Sequence, residues 1–340
     1  MDIFENRKDF LPVWFMRQAG RYHSHYQNIK KDSDFMTMCK TPELACEVTL
    51  GPIQDFGFNA AILFSDLLFP LEQLGMGLSY HSGPPTLEWH LEKLEDTKKL
   101  KIKAPGKDFY KFQGDACKLL RERLPKDVTL LGFVGAPFTL YTYAVEGSHA
   151  GNLVSAKQGL FDGRFEAFTE ILLPELLEEM VMQASNGAQA VALFDTAAGE
   201  LCVSDYQEHI VPKITSLLKA FKEKSPQTKV IYYSKHTQGG HLRALDLTNI
   251  DVIGVDWRCD LVEIQKLLPP HVFIQGNLDP AWLHLPTELM EKKATAYYAD
   301  LRNRGLDFKR WVAGLGHGVL IQTPEENVRK LVKIIQSQKI

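Results

Sequence analysis

The chain has 340 residues, 45% hydrophobic and 24% charged, and its 39 basic and 42 acidic side chains give a net charge of −3. That composition excludes a disordered, collagen-like or disulfide-dense chain, and without a basic excess a general nucleic-acid binder is excluded too. Global charge does not exclude one basic cleft holding an anionic ligand.

Five cysteines, Cys39, Cys46, Cys117, Cys202 and Cys259, form no CxxC pair. Free buried thiols in a reducing compartment are therefore expected, with no disulfide framework and no zinc knuckle. The opening MDIFENRKDF has no long apolar core, and no run reaches the roughly 18 apolar residues of a membrane span. The expectation is a cytoplasmic protein without a membrane anchor.

Apolar, β-rich runs alternate along the chain with longer amphipathic stretches. The first run is Pro12–Met16, followed by a helical pattern at Glu43–Phe56. The run Asn59–Phe64 comes next, then a helical pattern at Asp115–Leu124. Thr129–Phe133, the helical Phe165–Ser185, Gln189–Phe194 and the helical Asp205–Lys224 follow. The chain continues through Lys229–Tyr233, Asp251–Val255, the helical Leu261–Leu268 and His271–Ile274. It closes with the helical Leu285–Arg304, the run Arg310–Ala313 and a helix opening at Pro324 and extending to Gln338.

Near-continuous apolar strands between helices imply a parallel sheet buried on both faces. Eight such units predict an α/β chain folded as a (β/α)8 TIM-type barrel, a single domain over 1–340. Without Pro12–Met16 the count is seven and an open sheet is the alternative. Gly75, Gly77, Gly83, Pro84 and Pro85 predict a small insertion, such as a hairpin, after the second run.

In a barrel the chemistry lies beyond the C-terminal ends of the strands. The segments leaving the runs are Arg17-Gln18-Ala19-Gly20-Arg21, Ser65-Asp66, Gly135-Ala136-Pro137 with Tyr141 and Tyr143 beyond, Asp195-Thr196, Lys235-His236, Asp256, Gly276-Asn277 and Gly314-Leu315-Gly316-His317-Gly318. Arg17 and Arg21 flank a turn and can converge on one anion in bidentate geometry; in isolation such a pair reads equally as surface arginines in salt bridges. Asp66, set among apolar residues, needs a cationic or hydrogen-bonding partner. It reads either as a local cap or as an anion stabilising a positive intermediate. His317 sits among glycines that would let a ligand approach the backbone. Tyr143 has a hydroxyl to donate.

The segments PVWFMRQAGRY, FSDLL, GFVGAPFTL with TYAVEG, QGNLDP and GLGHG resemble the uroporphyrinogen decarboxylase family, collinearly over nearly the whole chain. The resemblance implies a homodimeric carboxy-lyase of heme biosynthesis. It implies that the enzyme converts uroporphyrinogen III to coproporphyrinogen III by removing four acetate carboxylates, without metal or organic cofactor. By motif position, Arg17, Gln18, Ala19, Gly20 and Arg21 would be the substrate-binding loop, and Asp66 the central carboxylate facing the pyrrole N–H groups. Tyr143 and His317 would be further polar pocket residues, and Thr196 a substrate-contacting hydroxyl.

The catalytic set so implied is Asp66, Arg17, Tyr143 and His317, with the identity of the proton donor open because arginine rarely deprotonates. Departures from the pattern are the short stretch before Pro12, which leaves the cover of the barrel bottom open, and Gly314 where Asn is common. The small residues around Ala197 and the stretch Ser234-Lys235-His236-Thr237 also differ. The competing functions are a zinc- or corrinoid-type methyltransferase, for which an HxC pair after the fifth run is missing, and a non-catalytic tetrapyrrole-binding barrel.

Overall fold

The computed structural model describes residues 3–4, 9–80 and 84–340. Seven of the eight apolar runs form strands: β1 (Ala60–Ile62), β2 (Thr129–Gly135), β3 (Ala190–Asp195), β4 (Lys229–Ser234), β5 (Val252–Gly254), β6 (Phe273–Leu278) and β7 (Trp311–Leu315). They pair side by side in chain order, all parallel. Every residue of β2 and β3 is buried, as a sheet covered on both faces requires.

Alternation along the strands separates two cores. Ala60, Ile62, Leu131, Phe133, Ala192, Phe194, Ile231, Tyr233, Val252 and Val312 gather in one cluster enclosed by the curled sheet. Their neighbours Ala61, Leu130, Val134, Val191, Leu193, Val230, Ile253 and Ala313 belong to the larger cluster between sheet and helices.

The run Pro12–Met16 makes one parallel bridge, Val13 to Ala313, and no regular strand. Its backbone nevertheless meets both sheet edges. The Trp14 N–H donates to Ala313 O at 3.3 Å and the Ala313 N–H to Pro12 O at 2.9 Å, while the Asn59 N–H donates to Val13 O at 2.9 Å. The Val13 N–H donates to the Asn59 side chain at 3.0 Å, and Pro12 has no N–H to offer; the ladder is therefore irregular here. Trp14 and Met16 face the enclosed cluster while Val13 and Phe15 face the outer one.

The amphipathic stretches appear as helices Pro42–Phe56, Lys111–Arg123, Arg164–Ser185, Val211–Lys224, Leu261–Leu267, Thr287–Asn303 and Glu325–Gln336. The stretch from Asp205 does not start as one helix: residues Tyr206–Ile210 form a π turn first. Helix Pro137–Glu146, directly after β2, shows no amphipathic pattern because Phe138, Thr139, Leu140, Tyr141, Thr142, Ala144 and Val145 are all buried.

Between β1 and β2, Ser79 and Thr86 exchange both backbone hydrogen bonds, at 2.9 and 3.0 Å, so the Gly/Pro-rich segment does hold an antiparallel pair. Gly83 lies outside the described residues, as do residues 1–2 and 5–8 of the stretch before Pro12. Ile3 and Phe4 are buried in the enclosed cluster, with the Ile3 N–H donated to Thr129 Oγ1 at 2.8 Å at the N-terminal end of β2. Some cover of that end is therefore present.

Candidate active site

The segments beyond the C-terminal strand ends converge. Arg17 adopts φ +59°, a left-handed conformation that an L-residue holds only when its surroundings impose it. Two hydrogen bonds do so: the Gln18 N–H to Phe15 O at 3.1 Å and the Val319 N–H to Met16 O at 2.9 Å. The side chain is thereby laid over Gly318, where an added Cβ would stand 2.8 Å from Arg17 Cγ and 3.0 Å from Nε.

Gly316 is equally constrained, since a Cβ there would stand 2.9 Å from the backbone carbon of Asp256. At Gly314 it would stand 2.7 Å from Trp14 O. The glycines of GLGHG thus make room for the protein's own loops and for the Arg17 side chain. An Asn at 314 has no space beside Gln275 and Trp14 as they are placed here.

Asp66, half-buried after β1, is held at both oxygens. The Leu68 N–H donates to Oδ1 at 2.7 Å and the Tyr80 hydroxyl to Oδ2 at 2.6 Å. Burial pushes its carboxyl above the usual range, against the two hydrogen bonds and the Arg17 charge, which pull it down. Tyr143, half-buried on helix Pro137–Glu146, feels the same two charges. Burial and Asp66 raise its phenol to about 12 while Arg17 opposes. Its hydroxyl lies 2.6 Å from His149 Nδ1.

His317 stacks on Tyr233, with 4° between the ring planes, and its Nδ1 lies 3.3 Å from the Tyr233 hydroxyl. That hydroxyl donates to Gly316 O at 2.7 Å, so the phenol oxygen is an acceptor for His317 Nδ1–H and leaves Nε2 as the free acceptor. Burial, then the charges of Arg17 and Lys235, lower the His317 imidazole to about 3. The Arg17 charge thus acts on Asp66, Tyr143 and His317 alike. The Arg17 guanidinium has no ion-pair partner among the described residues.

The other candidates divide. Gln18 is buried and donates to Ala60 O at 3.3 Å, while its backbone O accepts from Tyr22 at 2.6 Å. Ala19 and Gly20 are half-buried in the same turn. Arg21 is exposed and its charge acts on Tyr26; it is not among the charges felt at Asp66, Tyr143 or His317. Thr196 is buried and its hydroxyl finds no hydrogen-bond partner among the described residues.

Two strand-end carboxylates are occupied structurally. Asp195, raised to about 6 by burial, accepts from Thr139 at 2.9 Å and Tyr232 at 2.8 Å. Asp256 accepts from the His236 N–H at 2.7 Å, from the Arg258 N–H at 2.8 Å and from the Arg258 guanidinium at 3.0 Å. Asn277 anchors the Asp256 and Cys259 carbonyls at 2.9 and 2.7 Å. Three cysteines are buried as expected, but Cys202 is exposed.

Tyr80 and His149 are absent from the residues the sequence singles out. Tyr80 lies in the Gly/Pro-rich segment and His149 in the loop after helix Pro137–Glu146. Only their side-chain chemistry within loops next to the motifs marks them. Tyr80→Phe removes a hydrogen bond that favours the Asp66 carboxylate, so the Asp66 carboxyl rises further and turnover near neutral pH falls. A fall of about tenfold is expected from a lost charge-assisted bond. A kcat–pH profile displaced to higher pH checks it; an unshifted profile removes Tyr80 from the site.

Over residues 4–338 the chain matches the uroporphyrinogen decarboxylase (URO-D) family. The chain belongs to this family. It is 38% identical to the uroporphyrinogen decarboxylase of Pelobacter propionicus, the alignment covering 96% of this chain and 94% of that protein. With the enzyme of Thermodesulfovibrio yellowstonii it shares 37% identity over 98% and 95% of the two chains. Among solved structures, a methyltransferase from Methanosarcina mazei superposes with a TM-score of 0.75 at 16% identity, covering 98% of this chain and 95% of that one.

At such identity the last likeness concerns the fold alone. His236 is engaged by Glu200 at 3.2 Å, Cys259 donates to Thr237 O at 3.4 Å, and among the described residues no three His, Cys, Asp or Glu side chains are grouped to hold a metal.

Proposed function

We propose that this decarboxylase of porphyrin biosynthesis acts on uroporphyrinogen III and removes its four acetate carboxylates to give coproporphyrinogen III. Membership of the family over residues 4–338 supports the activity. The roles of individual residues rest on one observation. Asp66, fixed by Tyr80 and the Leu68 N–H, lies within reach of the Arg17 and Tyr143 fields at the strand ends.

The chemistry follows from those positions. A proton added to a pyrrole carbon leaves a cationic ring. The acetate C–C bond then breaks, carbon dioxide departs, and the bond's electron pair neutralises that ring. A second proton, added to the exocyclic carbon, completes the methyl group, and the first proton then leaves the ring carbon to restore the pyrrole, so that one proton is consumed for each carboxylate lost. Asp66 accepts hydrogen bonds from the pyrrole N–H groups and stabilises the ring cation by its charge. Arg17, with Gln18, Ala19, Gly20 and Arg21 forming its loop, binds substrate carboxylates. Tyr143, His317 and the unpartnered Thr196 hydroxyl complete the polar wall. A substrate carboxylate beside His317 raises its lowered imidazole, in the direction opposite to Arg17 and Lys235.

The architecture carrying this site is, in our reading, a single (β/α)8 barrel domain over 1–340. Residues Pro12–Met16 close it between β7 and β1, and the segment around Ser79–Thr86 is an insertion. We further assign a homodimer acting in the cytoplasm, without metal or organic cofactor. No described helix is long and apolar enough to cross a membrane.

The test is anaerobic incubation with uroporphyrinogen under reducing conditions, followed by oxidation and separation of the porphyrins. Seven- through four-carboxylate products are expected; their absence overturns the reading.

A further inference from the structure

His149 stands in the loop that leaves helix Pro137–Glu146 through Gly147, and it turns back onto that helix. Its Nδ1 lies 2.6 Å from the Tyr143 hydroxyl, with ring centroids 5.3 Å apart. Other contacts hold the loop at both of its ends. The Gly147 N–H is donated to Tyr143 O at 2.9 Å, the Ala156 N–H to Glu146 Oε1 at 3.0 Å, and Leu153 is buried.

Proton counting makes the contact informative. Burial, Lys235 and Arg17 lower the His149 imidazole, with Glu200 opposing, and Tyr143 is raised to about 12. Near neutral pH the pair is therefore a phenol and a neutral imidazole with one ring N–H. Either the phenol donates to Nδ1 or Nδ1–H donates to the phenol oxygen. In the first arrangement an approaching anion meets only lone pairs of the Tyr143 oxygen, which repel a carboxylate. In the second the phenol hydrogen is free to donate to an anion.

We propose that His149 is a positioning residue for Tyr143, holding the phenol oxygen with Nδ1–H so that the hydroxyl donates to a substrate carboxylate. This rests on the proposed function, whose substrate carries eight carboxylates. It gives His149 a part in substrate recognition that acts through Tyr143 and requires no contact of its own with substrate.

Uroporphyrin, the oxidised octacarboxylate, provides a probe that binds without turnover. Its Kd, read by fluorescence quenching, is compared across the parent, His149→Ala, His149→Asn, Tyr143→Phe and the Tyr143→Phe/His149→Ala double variant, beside turnover of uroporphyrinogen. His149→Ala is expected to weaken binding on the order of tenfold, as for a lost hydrogen bond to a charged group. It should raise KM by a similar factor with a smaller change in kcat. His149→Asn, whose amide N–H occupies the Nδ1 position, restores binding to within about threefold, and in the Tyr143→Phe background His149→Ala has no further effect.

Parent-like binding by His149→Ala overturns the proposal. So does an equal loss in the Tyr143→Phe background, failure of His149→Asn to rescue, or a parent that does not bind uroporphyrin. A parent that binds but yields no decarboxylated product overturns the proposed function instead, and the binding series still decides the part played by His149.

Discussion

Asp66→Asn keeps the fold and loses turnover by about 10²–10³, the usual cost of removing one preorganised electrostatic stabiliser. The local contacts survive the change. The Asn carbonyl still accepts from the Leu68 N–H, and the Tyr80 hydroxyl reverses to accept from the new amide. What is lost is the negative charge and, in the proposed mechanism, an acceptor for pyrrole N–H groups.

Stability moves the other way. The Asp66 carboxyl is raised in the folded protein, so the fold favours its protonated form. As pH climbs through that raised value, ionisation in the buried site opposes folding, and the penalty is fully present above it and absent below the unfolded value. A neutral amide removes it. Asp66→Asn should therefore melt at or above the parent temperature at neutral pH, the advantage shrinking as the solution is acidified toward the unfolded carboxylate range. Calorimetry at two pH values with a turnover assay checks both halves. An active variant, or one less stable at neutral pH, removes Asp66 as a charged stabiliser.

Most strands were legible because parallel strands buried on both faces are runs of apolar residues, and β2 and β3 read as unbroken ones. The run Pro12–Met16 was legible only as a possibility. Proline and the Asn59 side chain interrupt its ladder, so its place depends on two partners distant in sequence. Helix Pro137–Glu146 left no amphipathic trace since nearly all of it is buried. The helices around the outside carried the periodicity, and their bounds differ from expectation mainly at the ends, where caps and turns compete.

The site divides along the same physical line. Arg17, Asp66, Tyr143 and His317 follow apolar runs, and a sheet of parallel strands collects such positions at one end whatever the loop details. Tyr80 and His149 reach the site through loops whose course is set by tertiary contacts, and no periodicity carries that information. Asp195 and Asp256, equally placed at strand ends, turn out to be bound by Thr139, Tyr232, His236 and Arg258. Position alone therefore does not separate a reactive carboxylate from an anchoring one. Exposure does: Asp195 and Asp256 are fully buried, whereas Asp66 is only half-buried.

Arg17→Met is expected to lower kcat/KM by about 10²-fold, mostly through KM, since a guanidinium clamp on a carboxylate supplies two charge-assisted bonds. Met keeps an unbranched stem over Gly318 and accepts the same backbone strain as Arg, so the fold is retained. A second consequence needs no substrate. The Arg17 charge is among the causes lowering His317, to about 3, and His149. Removing it favours both imidazolium forms, so the His317 titration midpoint followed by NMR moves upward.

Arg17→Lys separates the two effects. It keeps a positive charge near His317, holding the midpoint close to the parent, but loses the planar fork, so KM still rises. A lysine variant with parent KM would show that charge alone binds the substrate there. A methionine variant with an unmoved His317 midpoint would place the Arg17 guanidinium away from the strand-end site.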